Sequence, residues 1–172
     1  MEQIRQVATI LKDKPQNSVY SSDLRRAYIG ACIVAEPHGY TPARVSELRE
    51  ICMGNWEGKT VKEIEQIYPG EMERRYNNIE TFRAEGGESF GQLHERVIPK
   101  LLEIVNSHRG ESIVIMAHGG VNRVILSHVL GIPPQHFFSI TQDYAAINII
   151  QFYENTAVVE LMNGTSIPNP FL

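Results

Sequence analysis

The sequence predicts an α/β domain, a three-layer α/β/α sandwich with a mostly parallel sheet. Short apolar runs bounded by turn signals alternate with stretches that repeat apolar residues at helical spacing. At 111–131, ESIVIMAHGGVNRVILSHVLG, a continuous apolar run is broken by Gly119 and Gly120 and gives way at once to an amphipathic pattern, the mark of a buried strand feeding a helix. A length of 172 residues suits one domain with a sizeable core.

Ile4, Val7, Ala8 and Leu11 predict that the chain enters on a helix over 2–13. SVYSSDLRRAYIGACIVAEPHG reads as a strand around 18–20, a turn with Ser21, Ser22 and Asp23 as candidate caps, and a helix ending before Pro37. A short extended segment follows at 43–45, then the loop SELREICMGNWEGKT and a helix over 61–67. EMERRYNNIETFR is wholly or partly helical, and GGES precedes a long helix over 90–106, which Pro99 is expected to bend. Beyond Pro133 and Pro134, runs at 146–153 and 157–162 read as a closing hairpin.

Hydrophobic residues make up 42% and charged residues 21%, and the net charge of −4 gives no electrostatic case for nucleic acid or an anionic membrane. Cys32 and Cys52 sit in apolar surroundings without metal-ligand spacing and read as reduced core thiols. His118 and His128, ten residues apart, form no metal-ligand pair. The N-terminal stretch lacks a signal-peptide core and no run approaches a membrane span, so a cytoplasmic protein is expected.

In parallel α/β sheets, ligands bind beyond the carboxyl ends of the strands. His118 falls at such an end, before a helix whose first N–H groups favour an anion, with Gly119 and Gly120 permitting close approach. Alone, it would equally be a hydrogen-bonded turn histidine. The turn SSD at a second strand end opens a helix carrying Arg25 and Arg26, whose guanidinium groups can fork onto a phosphate or lie solvated on the surface. LREICMGNWEG, 48–58, mixes carboxylates with Leu48, Ile51 and Trp56; a glutamate there is expected beside an apolar wall, with the raised pKa a general acid needs.

SSDLRRA, LREICMGNWEG, GGES and MAHGGVNR, in this order and at these intervals, resemble the histidine phosphatase superfamily, the phosphoglycerate mutase-like proteins. The likeness runs over nearly the whole chain and is nearest to the small phosphatases, including the α-ribazole phosphatases of cobalamin synthesis. It implies hydrolysis of a small-molecule phosphomonoester, with α-ribazole 5′-phosphate one candidate, without a cofactor or metal. It places Arg26 at a phosphate-binding arginine, Arg25 at a variable position, Glu50 at the general acid and base, His118 at the second pocket histidine, and Gly119 at a backbone contact. It also implies that 69–87 covers the pocket and sets the substrate, with Arg74, Arg75, Tyr76, Phe82 and Arg83 to inspect. A homodimer is the family habit.

The family's nucleophile is the histidine of an R-H-G motif ending the first strand, and this chain contains no such motif. His108-Arg109-Gly110 has the order reversed and precedes the strand at 113–116, which puts it at the opposite edge of the sheet. The absent strand is an interior one. About ten backbone groups would lose partners at about 1–3 kcal/mol each, against a typical total stability of about 5–15 kcal/mol. Either the neighbouring strands close together, or another chain supplies pairing, or this chain is a shortened form of a longer protein; the third is expected, because Arg26, Glu50 and His118 serve little purpose without a nucleophile. The rival expectation is a non-catalytic phosphate-binding or interaction protein.

Overall fold

The computed structural model describes residues 1–166. Its elements are α1 (Glu2–Leu11), β1 (Ser18–Ser22), α2 (Arg25–Ala35), β2 (Ala43–Val45), α3 (Val61–Ile67), α4 (Glu71–Asn77), α5 (Phe90–Ser107), β3 (Ile113–Met116), α6 (Gly119–Leu130), β4 (Ile147–Phe152) and β5 (Ala157–Gly164). Short 3₁₀ turns fill 46–48, 54–56 and 134–139. The helix α5 continues through Pro99 and starts with a capping box between Ser89 and Gln92. No helix of the described residues is long and apolar enough to cross a membrane.

β1 is the centre of a parallel sheet, pairing with β2 through Tyr20–Ala43 to Ser22–Val45 and with β3 through Ser18–Ile113 to Ser21–Met116. Alternation along β3 feeds two cores. Val114 and Met116 pack beneath α1 and α2 with Ile4, Ala8 and Val34, whereas Ile115 packs on the other side with Leu93, Val97, Val121 and Val124 of α5 and α6. These are the expected three layers, with the carboxyl ends of all three strands on one edge.

β4 and β5 form a separate antiparallel hairpin. It serves both cores too: Ile150 and Phe152 join the α5–α6 side, and Ala145, just before β4, joins the α1 side. Yet among the described residues no ladder links β3 to β4, and all four residues of β3 are half-buried in a sheet that helices cover on both faces. The neighbouring strands therefore do not close together. Among the described residues the outer edge of β3 stays open in the plane of the sheet, where the family resemblance implies an interior strand.

A satellite cluster of Trp56, Ile64, Met72 and Ala84 sits under 51–88. Here the GNWEG and GGES segments lie backbone to backbone: Asn55 N–H donates to the Glu85 carbonyl (2.9 Å) and Glu88 N–H to the Cys52 carbonyl (2.8 Å). Gly54 adopts φ +55°, and a Cβ there would stand 2.2 Å from the Glu85 carbonyl oxygen. Cys52, expected in the core, is instead exposed beside this junction, where its carbonyl accepts the Glu88 N–H and its thiol lies 3.7 Å from the Gly86 carbonyl; Cys32 is half-buried on α2. Gly54→Ala combines a positive φ with a backbone clash, so urea denaturation should show a loss of about 2–4 kcal/mol. Unchanged stability would refute this account of the junction.

Candidate active site

Three chain segments reach the carboxyl edge of the sheet. β1 ends at Ser22, β3 leads through Ala117 to His118 at the N-cap of α6, and β2 leads through the turn at 46–48 to Arg49 and Glu50. His118 is 8% exposed, and its Nε2 shares a 2.9 Å hydrogen bond with Ser22 Oγ. Ser22 Oγ also accepts the Leu24 N–H at 3.3 Å. The sequence suggested Ser21, Ser22 and Asp23 as helix caps. Instead β1 extends through Ser22, α2 starts from Leu24 without a side-chain cap, and the Ser22 hydroxyl orients the histidine.

The N-terminus of α6 carries an anion supplied by the chain itself. Glu50 Oε2 accepts the Gly120 N–H at 3.0 Å, while Oε1 accepts the Ile51 N–H at 2.9 Å. Gly120 is the residue whose N–H meets the Glu50 carboxylate. A Cβ on Gly120 would come within 2.3 Å of Glu50 Oε1, so the close approach requires glycine. The immediate partners of the carboxylate are thus backbone amides rather than the apolar wall the sequence suggested. Gly119 is the first residue of α6, next to this contact.

Charged pairs fix the Glu50 loop. Arg96 Nε and a terminal nitrogen donate to the two carboxylate oxygens of Glu88 at 2.6 and 2.8 Å, and the same guanidinium reaches the carbonyls of Glu47 and, at 3.3 Å, Glu50. Arg49 makes a two-pronged pair with Asp23 at 2.7 and 2.6 Å, which joins the loop to the β1–α2 turn and holds the Asp23 carboxyl below its ordinary value. The role of Arg96 escaped the sequence reading. Glu88 of GGES, eight residues before it, was the available signal.

Burial pushes the His118 imidazole down to about 4, Arg26 and Arg96 press in the same direction, and Glu50 opposes them. The charges of Arg26 and Glu50, carried by two other strand ends, thus bear on His118 in opposite directions. Arg25 has no such effect on His118, and both arginines are exposed in the first turn of α2. His108 lies at the amino end of the strands, held by Tyr20 Oη at 2.8 Å and Glu111 at 2.6 Å.

Because His118 binds its proton near 6.5 when unfolded and near 4 when folded, the unfolded chain holds more protons in between. Stability supplied by neutral His118 is complete above 6.5 and is lost as pH falls towards 4, by up to about 3 kcal/mol. His118→Asn should flatten this part of the pH–stability curve, as followed by thermal melts; an unaltered slope would contradict the burial of a neutral ring. Gly120→Ala should drive Glu50 off the α6 terminus, visible as non-additivity between G120A and E50Q in a double-mutant cycle, with E50Q costing less in the G120A background; additive effects would contradict the contact.

The comparisons agree with this architecture. The family model described as histidine phosphatase superfamily (branch 1) matches residues 1–165. Phosphoserine phosphatase 1 of Hydrogenobacter thermophilus is 27% identical over 164 residues, which cover 95% of this chain and 78% of that protein. Phosphoglycerate mutase-like protein 4 of Arabidopsis thaliana is 36% identical over 129 residues, 71% of this chain and 54% of that protein. Among solved structures, Bacillus stearothermophilus YhfR superposes with a TM-score of 0.88 at 26% identity, over 95% of this chain and 81% of that one. The α-ribazole phosphatase from Shigella flexneri gives a TM-score of 0.86 at 22% identity, over 97% and 83%, a likeness of fold. With its motifs in register and its sheet of the same build, the chain belongs to the histidine phosphatase superfamily, branch 1.

Proposed function

We propose that Arg26, Glu50 and His118 form the phosphate-handling part of a phosphomonoester hydrolase that works through a phosphohistidine. The observation that carries this reading is the convergence of a cation, a carboxylate and a buried neutral imidazole at the carboxyl edge of the sheet. The nucleophile is a histidine on a strand that pairs with the open edge of β3. Its nitrogen attacks phosphorus and the ester P–O bond breaks, while Glu50 gives a proton to the leaving oxygen. Glu50 then takes a proton from water, whose oxygen displaces the histidine and releases inorganic phosphate. Arg26 and His118 hold the equatorial oxygens, which is where most of the catalytic advantage in phosphoryl transfer arises.

The ligand is a small-molecule phosphate ester. α-Ribazole 5′-phosphate and O-phosphoserine are the first candidates, taken from what the named relatives act on.

Vanadate at about one hundred times its dissociation constant should stabilise the chain by about 2.7 kcal/mol, read as a rise in Tm. Arg26→Ala and His118→Asn should each remove that rise. Hydrolysis of an aryl phosphate by these 172 residues alone should be near background. Phosphohistidine trapped on one of the chain's own histidines would overturn the upstream nucleophile, and vanadate binding that survives both substitutions would overturn the site. Binding without hydrolysis after the upstream segment is restored would favour the non-catalytic reading.

A further inference from the structure

Two histidine rings meet across the packed helices α5 and α6. His94 Nε2 and His128 Nδ1 stand 3.3 Å apart, although 34 positions separate the residues in the chain. The ring centroids are 5.3 Å apart and the planes incline at 58°, so the rings are tilted rather than stacked. Both side chains are exposed, and among the described residues neither ring has another hydrogen-bond partner. Their backbones are held by the core beneath them: Leu93, next to His94, belongs to the same buried cluster as Val124 and Ile125, one turn before His128. His128 lies in the last turn of α6, about 15 Å along the helix from His118. The pair is therefore no part of the phosphate site.

Two neutral imidazoles facing each other can share only one proton between the facing nitrogens, and 3.3 Å is at the long end for a nitrogen donor. The same spacing is the bite of a metal ion, because two nitrogens bound to one tetrahedral zinc ion at about 2.0–2.1 Å stand about 3.3 Å apart. Burial, and after it the neighbouring His94 ring, lowers the His128 pKa, which leaves that ring neutral and able to coordinate near neutral pH.

We infer that His94 Nε2 and His128 Nδ1 form a site for one divalent transition ion of the zinc class, bridging α5 and α6. Imidazole nitrogen suits zinc, nickel and copper. Among the described residues no third histidine, cysteine, aspartate or glutamate completes the group, so water fills the remaining coordination positions and the ion exchanges readily. Coordination needs both facing nitrogens free of protons. The proton shared between them moves to the other nitrogen of its own ring, so two neutral rings take up the ion without releasing a proton. The ion then fastens α6 to the helix whose Arg96, two residues after His94, grips the carbonyls of Glu47 and Glu50. It stiffens the support of the Glu50 loop from outside the phosphate site.

Isothermal titration of the chain with zinc chloride, in phosphate-free buffer near neutral pH, tests the site. His94→Ala and His128→Ala should each weaken zinc binding by about tenfold or more, and the double substitution should weaken it little further, because one ring alone makes no chelate. Cys52→Ser, which removes an exposed soft ligand elsewhere, should leave the affinity unchanged. Both histidines are exposed, so melting without zinc should show the alanine variants folded. Nitrogen NMR of the imidazoles should show His94 Nε2 and His128 Nδ1 shifting together as zinc is added. No binding by the unsubstituted chain, unchanged affinity in either alanine variant, loss of binding in C52S, or a shift confined to one ring overturns the inference. Each of these outcomes leaves the phosphatase reading standing, since that reading is tested with vanadate.

Discussion

The contact between the Glu50 carboxylate and the Gly120 N–H organises the rest of the molecule. It joins the loop after β2 to the helix after β3 across the carboxyl edge of the sheet, and it allows no side chain on Gly120. A carboxylate is a flexible ligand unless its backbone is fixed. Two arginines do that fixing from opposite sides: Arg96 grips the loop carbonyls and Glu88, and Arg49 ties the loop to Asp23. The GNWEG and GGES segments, docked through Gly54, then bring Glu88 to Arg96. Motifs separated by tens of residues are thus successive links in one mechanical chain that ends at a carboxyl group.

Electrostatics complete the arrangement. His118 sits where its own ionisation is suppressed by burial and by Arg26, so the free site presents a neutral imidazole beside a guanidinium. A phosphoryl dianion entering there would reverse the local field, compensating Arg26 and favouring a proton on the ring. Away from this edge, burial likewise lowers the Arg75 pKa where its guanidinium faces the Phe90 ring at 5.3 Å. The site spends conformational precision on the carboxylate and leaves its cations waiting.

Much of this was legible in the sequence. β2, α3 and β3 follow local patterns strongly enough that 43–45, 61–67 and 113–116 are the observed limits. His118 was readable because Gly-Gly marks a chain reversal at a strand end, whereas the choice of Arg26 over Arg25 and of Glu50 among the loop glutamates came from the family resemblance. What local pattern could not reveal was who meets whom. Ser22 looked like a cap, since Ser-Ser-Asp before a helix is cap chemistry, but pairing with Val45 of β2 draws it into the strand and turns its hydroxyl to a residue 96 positions away. Arg96 carries no local signal on its helix. Its partners lie 8, 46 and 49 residues away, a separation no periodicity encodes. Cys52 sat among apolar letters, yet the segment docks by its backbone and leaves the thiol outside.

The bare side of β3 has a bearing on how the polypeptide behaves outside its proper assembly. Ile113, Val114, Ile115 and Met116 present an uncharged row of main-chain donors and acceptors with no proline or lysine to blunt it. Any extended peptide of matching pitch finds a template there, and only the shortness of the row discriminates among comers. An uncovered row of this kind favours self-association, so colloidal behaviour becomes a direct readout of whether the groove is filled.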